Sequence, residues 1–299
     1  MPKPTINTWL AQATAQLKRC NFINNARLEA ELLLGFVLHC DRLQLQLRLD
    51  DIITDDQLLK LNQILAQRLN NYPLAYITGA KDFFGRQFQV NPSVLIPRPE
   101  SEVMIEQALQ IVNNNFSVQA TDVIKILDIG CGSGALGLTL ASELAERKIN
   151  YQLTLADISQ SALNVARHNA KNLAITADFV ISDLLTNISN LSANLILANL
   201  PYVDRQWSFV KNVEFEPELA LYADNDGLAL IFKLIDQLAT TKNQTARCWL
   251  FLESDPLQQP TIRKYLLGHN FTDIKQVDYI TIVDLSKKAW LFSFELIGV

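Results

Sequence analysis

From about residue 122 onward the chain alternates between short apolar segments suited to strands and segments suited to helices. The strand-like pieces are VIKILDI (123–129), YQLTLADI (151–158), DFVIS (178–182), NLILAN (194–199), CWLFLE (248–253), DIKQV (273–277) and AWLFSFELI (289–297). Helical pieces separate most of them: ALGLTLASELAER, SALNVARHNAK, LALIFKLIDQLA and QQPTIRKYLLG. Strands that are apolar throughout must be covered on both faces, and alternation with helices supplies that cover in an open, mostly parallel sheet. The pattern predicts an α/β fold with a mostly parallel sheet of seven strands.

The first quarter of the chain differs. Residues 4 to about 70 read as helices, with apolar positions at helical spacing such as Leu58, Leu61, Leu65 and Leu69. Thr54 followed by Asp55 and Asp56 supplies an N-cap and first-turn negative charge. At Tyr72 the composition shifts to Gly79, Gly85, Pro73, Pro92, Pro97 and Pro99 with aromatic and β-branched residues between. Two short strands around Gly85 form the expected hairpin, and the prolines force Ile96 and Arg98 into extended conformations. The expected organisation is a helical domain over 1–72, a hairpin linker over 73–98 and an α/β domain over 99–299.

Composition excludes several functions. With 26 Lys and Arg against 31 Asp and Glu, the net charge of −5 argues against a protein built to coat a phosphate backbone. No apolar run approaches the roughly 18 residues of a membrane span. MPKPTINTWLAQATAQL lacks the pattern of a secretory signal, which leads us to expect a cytoplasmic protein. Cys20, Cys40, Cys131 and Cys248 are scattered, as are His39, His168 and His269, so neither a metal site nor a Ser-His-Asp arrangement is expected.

The first strand of the alternating region ends in LDIGCGSGALG. Gly132, Gly134 and Gly137 satisfy the G-x-G-x-x-G spacing of dinucleotide-binding turns. Asp128, two residues before Gly130, suits a positively charged ligand end better than a pyrophosphate. S-adenosylmethionine, with its sulfonium and α-amino group, meets that requirement, and a nicotinamide dinucleotide remains the alternative. Asp157 ends the next strand, placed to accept from ribose hydroxyls in either case, and Ser182-Asp183 ends the third, placed to accept from an adenine amino group. Tight strand-to-helix turns with capping aspartates would produce the same letters.

The fourth strand ends in LILANLPYVD (195–204). Carboxyl ends of strands line the ligand crevice in such sheets, which puts Asn199, Leu200, Pro201 and Tyr202 beside the reacting group. An amide or aryl amine nitrogen has a delocalised lone pair, and no ordinary side chain deprotonates it near neutral pH. The Asn199 oxygen and a backbone carbonyl can accept its two N–H bonds and aim it, with Tyr202 stacking on the planar group. Those acceptors bind more tightly as positive charge develops on nitrogen. A structural turn is the alternative.

These pieces, with PLAYITGAKDFFG, LIPRPESE, ADISQSALNVARHNA, SDLL and EPELALYADNDGLAL, run over nearly the whole chain. Together they resemble the protein glutamine N5-methyltransferases, and within them the enzymes of bacterial peptide chain release factors, whose branch the intact IPRPE fits. The resemblance implies a class I S-adenosylmethionine-dependent methyltransferase with a Rossmann-like sheet. It implies cofactor contacts at Asp128, Gly130, Cys131, Gly132, Ser133, Gly134, Asp157, Asp183, Leu184 and Asn199. Substrate contacts fall to Asn199, Leu200, Pro201 and Tyr202, with Asn199, Pro201 and Tyr202 catalytic. The implied substrate is the GGQ glutamine of class 1 release factors, handled by a monomer without direct nucleic-acid or membrane contact, and the helical domain is expected to recognise that protein.

Three positions depart from the family pattern. Leu200 replaces a proline, giving an NLPY spelling also typical of rRNA adenine dimethyltransferases; Leu184 stands where an aromatic is frequent; and the Glu-x-Gly after the fifth strand reads Glu253-Ser254. The competing readings are an adenine N6-methyltransferase of rRNA or DNA, a glutamine methyltransferase of a ribosomal protein, an NAD-dependent oxidoreductase, and a binding module that keeps only the fold.

Overall fold

The computed structural model describes residues 3–116, 123–207 and 213–286. These divide into two compact units, one of residues 3–80 with 213–215 and one of residues 81–207 and 216–286. The first unit holds α1 (Ile6–Leu17), α2 (Ala26–Leu38), α3 (Arg42–Leu47), α4 (Asp55–Leu69) and α5 (Leu74–Thr78). Thr54 caps α4 in a capping box with Gln57, which satisfies helix-end N–H groups that would otherwise lack partners. Leu10, Leu33, Leu34, Leu61 and Leu65 meet in its core.

Residues 73–98 are shared between the two units. Ile77 of α5 joins the core of the first. The hairpin β1 (Ala80–Phe83) and β2 (Arg86–Gln89) sends Phe83 and Phe88 into the core of the second, and its turn sits at Phe84 and Gly85, both at positive φ.

In the second unit a short 3-10 turn (Pro99–Ser101) leads into α6 (Glu102–Asn115). There follow β3 (Val123–Ile129), α7 (Ala135–Glu146), β4 (Asn150–Asp157), α8 (Gln160–Asn172), β5 (Asp178–Ile181), β6 (Leu195–Ala198), α9 (Glu218–Leu221), α10 (Ala229–Thr240), β7 (Trp249–Glu253), α11 (Gln259–Gly268), β8 (Ile274–Val277) and β9 (Ile280–Asp284). The sheet order is β5-β4-β3-β6-β7-β9-β8. The first five strands in that order pair in parallel, whereas β9 runs antiparallel to both β7 and β8. All residues of β6, β7 and β9 are buried, as their apolar sequences require.

The seven-stranded sheet matches expectation in number and in its mostly parallel character, and one strand differs. Residues 280–284 form β9, a strand the sequence pattern did not single out. Only Asp278 and Tyr279 part it from β8. The expected strand 289–297 lies outside the described residues. Among the described residues no helix is long and apolar enough to cross a membrane.

Candidate active site

In the sheet, β3 lies between β4 and β6, so the chain winds outward to β5 on one side and to β7 on the other. That reversal opens a crevice at the carboxyl ends of the strands. A cavity of about 350 Å³ occupies it, lined by Gly130, Cys131, Gly132 and Ser133 after β3, Asp157 after β4, Ser182, Asp183 and Leu184 after β5, and Asn199, Leu200 and Pro201 after β6. Further wall comes from Ser93, Val94, Leu95, Pro97 and Ser101 on one side and from Pro217, Leu219 and Ala220 on the other. Arg98 and the buried Glu216 form an ion pair, and Glu216 also accepts from the Ile96 backbone N–H at 3.0 Å, which fastens these two stretches together.

The glycine loop is held by main-chain hydrogen bonds and by two side chains, Asp157 and Asn169. Gly130 and Cys131 donate to the Ala156 carbonyl at 2.8 and 3.0 Å, and Gly134 donates to the Cys131 carbonyl at 2.7 Å. Gly130, Gly132 and Gly134 all sit at positive φ (67°, 54° and 78°), a region that side chains with a Cβ disfavour. At Gly132 a Cβ would stand in open space, with no protein atom within 4 Å. Asn169 on α8, fully buried, donates to the Ser133 carbonyl at 2.9 Å and exchanges hydrogen bonds with the Gln89 backbone, so loop and hairpin share one anchor.

Two aspartates flank the loop in different roles. The Asp157 carboxylate accepts from Gly132 N at 2.9 Å and Ser159 N at 2.8 Å while lining the cavity. Burial raises its pKa, and the backbone donors Ser159, Gly132 and Ile158 oppose the shift. Asp128 is 1% exposed, accepts from Gly137 N at 2.8 Å at the start of α7, and does not line the cavity. Burial carries its pKa to about 7, against the Gly137 hydrogen bond and helped by the Asp157 charge. Burial also pushes the Cys131 thiol well above its ordinary range, with Asp128 and Asp157 adding to it, so that side chain stays a neutral wall group.

On the other side of the crevice Asn199 donates from Nδ2 to Ser101 Oγ at 3.1 Å. With the donor end of its amide engaged, Oδ1 is the end left to accept. Leu200 is 3% exposed, and its Cδ2 lies 3.0 Å from where a Cβ on Gly130 would stand, so the two walls meet there. Tyr202 does not line the cavity. Its hydroxyl points to Glu253 Oε1 at 3.3 Å, and its carbonyl accepts from Gln258 Nε2 at 2.9 Å. Gly227, at φ +80°, packs against that carbonyl so closely that any Cβ there would collide with it.

The crevice thus gathers Gly130, Cys131, Gly132, Ser133, Asp157, Asp183, Leu184, Asn199, Leu200 and Pro201, and leaves Asp128, Gly134 and Tyr202 behind its surface. Asp183 forms a half-exposed ion pair with Lys233 at 2.5 Å. Leu184 takes a positive φ of 52° while the Ser182 hydroxyl donates to its carbonyl. Sequence reading missed Ser101, Asn169 and Glu216, the residue that pairs with Arg98. Ser101 hid inside a helix-start signal, and Asn169 sits mid-helix with nothing local to mark it. A usable signal did exist for Glu253: an apolar strand, WLFLE, that ends on a carboxylate.

Residues 101–214 match the Methyltransferase small domain family and residues 8–79 the PrmC N-terminal domain family. A glycine cradle at the first strand of a parallel sheet, with a carboxylate at the end of the second, fits S-adenosylmethionine, and the chain is an S-adenosylmethionine-dependent methyltransferase. It is similar to the release factor glutamine methyltransferases of Haemophilus influenzae (35% identical, covering 91% of this chain and 94% of the relative) and Buchnera aphidicola (34%, covering 89% and 92%). The enzyme of that name from Koribacter versatilis is 38% identical over 71% of this chain and 74% of its own length. The chain belongs to the release factor glutamine methyltransferase family.

Proposed function

We propose that this protein transfers a methyl group from S-adenosylmethionine to the side-chain amide nitrogen of the glutamine in the GGQ motif of class 1 peptide chain release factors. The observation that carries the reading is the orientation of Asn199: Ser101 holds its Nδ2, which leaves Oδ1 as an acceptor at the cavity wall. S-adenosylmethionine, when bound, supplies a methyl group made electrophilic by its positively charged sulfur. The glycine loop from Gly130 to Gly134 gives it close backbone approach, Asp157 accepts from its ribose hydroxyls, and Asp183 and Leu184 flank its adenine.

Asn199 Oδ1 and the Leu200 carbonyl accept the two amide N–H bonds of the glutamine. Holding a weak nucleophile at attack geometry supplies on the order of 7–11 kcal/mol toward the barrier, which takes the place of a base. Pro201 keeps Leu200 extended. Tyr202, with its hydroxyl engaged by Glu253, supports the corner from behind. The helical unit recognises the release factor, and the protein works as a cytoplasmic monomer without direct nucleic-acid contact.

Purified protein incubated with methyl-labelled S-adenosylmethionine, a bacterial class 1 release factor and, separately, rRNA tests the reading. Label is expected on the release factor and absent when its GGQ glutamine is changed to alanine. Label on rRNA alone overturns it.

A further inference from the structure

Behind Asn199 lies a buried polar corner that the reaction as described does not use. Glu253, the last residue of β7, is 2% exposed. Its Oε1 accepts from the Tyr202 hydroxyl at 3.3 Å, whereas Oε2 is buried without a hydrogen-bond partner. Unpaired buried carboxylate oxygens are costly and call for an explanation. Ser101 can supply a donor in this corner. Ser101 Oγ already accepts from Asn199 Nδ2, so its own hydroxyl proton is free to be given away.

We propose that Glu253 is a positioning residue for methyl transfer: its carboxylate ends a one-way donor chain, Asn199 Nδ2–H to Ser101 Oγ–H to Glu253, that keeps Asn199 Oδ1 facing the cavity. The inference rests on the substrate reading above and adds to it a control of the asparagine's two ends. A side-chain amide can rotate by half a turn at little steric cost, and in the wrong orientation it would present N–H groups to a nitrogen that itself bears N–H groups. A carboxylate at the far end removes the ambiguity because it can only accept. Ser101 and Asn199 both act on Glu253 to favour its charged form, although Oε2 stays outside strict hydrogen-bond geometry. Contacts of this kind commonly tighten only when substrate is bound.

The chain has a direction that depends on protonation. Burial is the largest influence on Glu253 and raises its pKa above the ordinary carboxylate range, with Glu100 adding to the rise and Ser101, Tyr202 and Asn199 opposing it. Among the described residues the charged and titratable groups acting here are Glu100 and Tyr202, with Asp255 and Arg98 acting on Tyr202 in turn. When Glu253 gains a proton it becomes a donor itself and competes for the Ser101 oxygen. Turnover should therefore fall as pH drops through that raised pKa.

The test is Glu253→Gln, which keeps volume and polarity but replaces one of the two acceptor oxygens with a donor NH2, leaving one acceptor for Tyr202 and Ser101 together. Measured with labelled S-adenosylmethionine and a class 1 release factor, kcat should fall about 10- to 100-fold. The cofactor Kd, the substrate KM and the melting temperature should stay close to wild type, and the acid limb of the pH profile should vanish. Wild-type kcat in this variant, or a lowered kcat that keeps the acid limb, overturns the proposal. Ser101→Ala is the second probe should Glu253→Gln fail to fold. It interrupts the same chain and should lower kcat alike with the cofactor still bound; wild-type turnover there also overturns the proposal. A wild-type protein that leaves the release factor unlabelled defeats the substrate reading instead, and the variants are then compared on the acceptor that does take label.

Discussion

The two sides of the crevice fix their functional atoms by different means. On the β3–β4 side the loop from Gly130 to Gly134 is tied by main-chain hydrogen bonds to Ala156 and Cys131, and only Asp157 contributes a side chain that both braces the loop and faces the cavity. On the β6–β7 side Asn199 depends on Ser101, and Tyr202 on Glu253, Gln258 and Gly227, all side chains or close approaches brought from far along the chain. A backbone-built wall tolerates changes in its surroundings and recognises shape. A wall built from side chains sets direction, which is what the proposed reaction without a base needs.

The sharpest way to break this contrast is Asn199→Ala. Removing one well-aimed group from a preorganised site commonly costs roughly 10²–10³ in kcat. We expect a loss of that size in release-factor methylation, with the cofactor Kd by calorimetry moved by no more than a few-fold. Equal damage to both quantities would mean that the two sides are not separate. Asp157→Ala should do the reverse. Losing a charged acceptor commonly costs about 1.5–3 kcal/mol, so the cofactor Kd should weaken by about 10- to 100-fold while kcat at saturating cofactor changes little.

Asp128→Asn probes stability on the backbone side. The folded pKa of Asp128 is raised from 3.8 to about 7. Its stabilising contribution is therefore complete below pH 3.8 and is lost as pH rises through about 7. Asparagine keeps an acceptor for Gly137 N and carries no charge to desolvate, so this variant should melt several degrees higher than wild type at pH 8 and converge with it near pH 4. A lower melting temperature at pH 8 would show that the carboxylate charge is needed by the loop. The smallest effect is expected for Lys233→Ala. Its ion pair with Asp183 is half exposed on both partners, and such pairs contribute up to about 1 kcal/mol. Cofactor affinity should stay within about fivefold of wild type by calorimetry.

The same contrast explains what could be read from the letters alone. The glycine loop was legible because its signature is local: glycines, a strand before and a helix after are all within one stretch. The central parallel strands β6 and β7 were legible because they are buried at every residue and nearly all apolar. The hairpin of β8 and β9 was half read, since a two-residue turn at Asp278 and Tyr279 leaves little trace. Asn199 was legible as a motif, but its partner Ser101 lies 98 positions earlier and Glu253 lies 51 positions beyond Tyr202. No periodicity links residues at such separations; only the sheet order brings the ends of β6 and β7 together. Asp128 misled for a related reason. A carboxylate at a strand end reads alike whether it greets a ligand or receives the first turn of the next helix.

The contact of Leu200 with Gly130 carries a last consequence. Between these residues the chain passes through three further strands and two helices, each free to add its own small error of placement. The direct pairing of Ile129 with Ala198 in neighbouring strands cancels the accumulated error, as a stop pin does in an assembly of many parts, and the Leu200 side chain fills the space beside Gly130. The span between the walls proposed to hold the methyl donor and its acceptor then depends on the girth of one aliphatic side chain, and changing that girth is a direct handle on how far the group must travel.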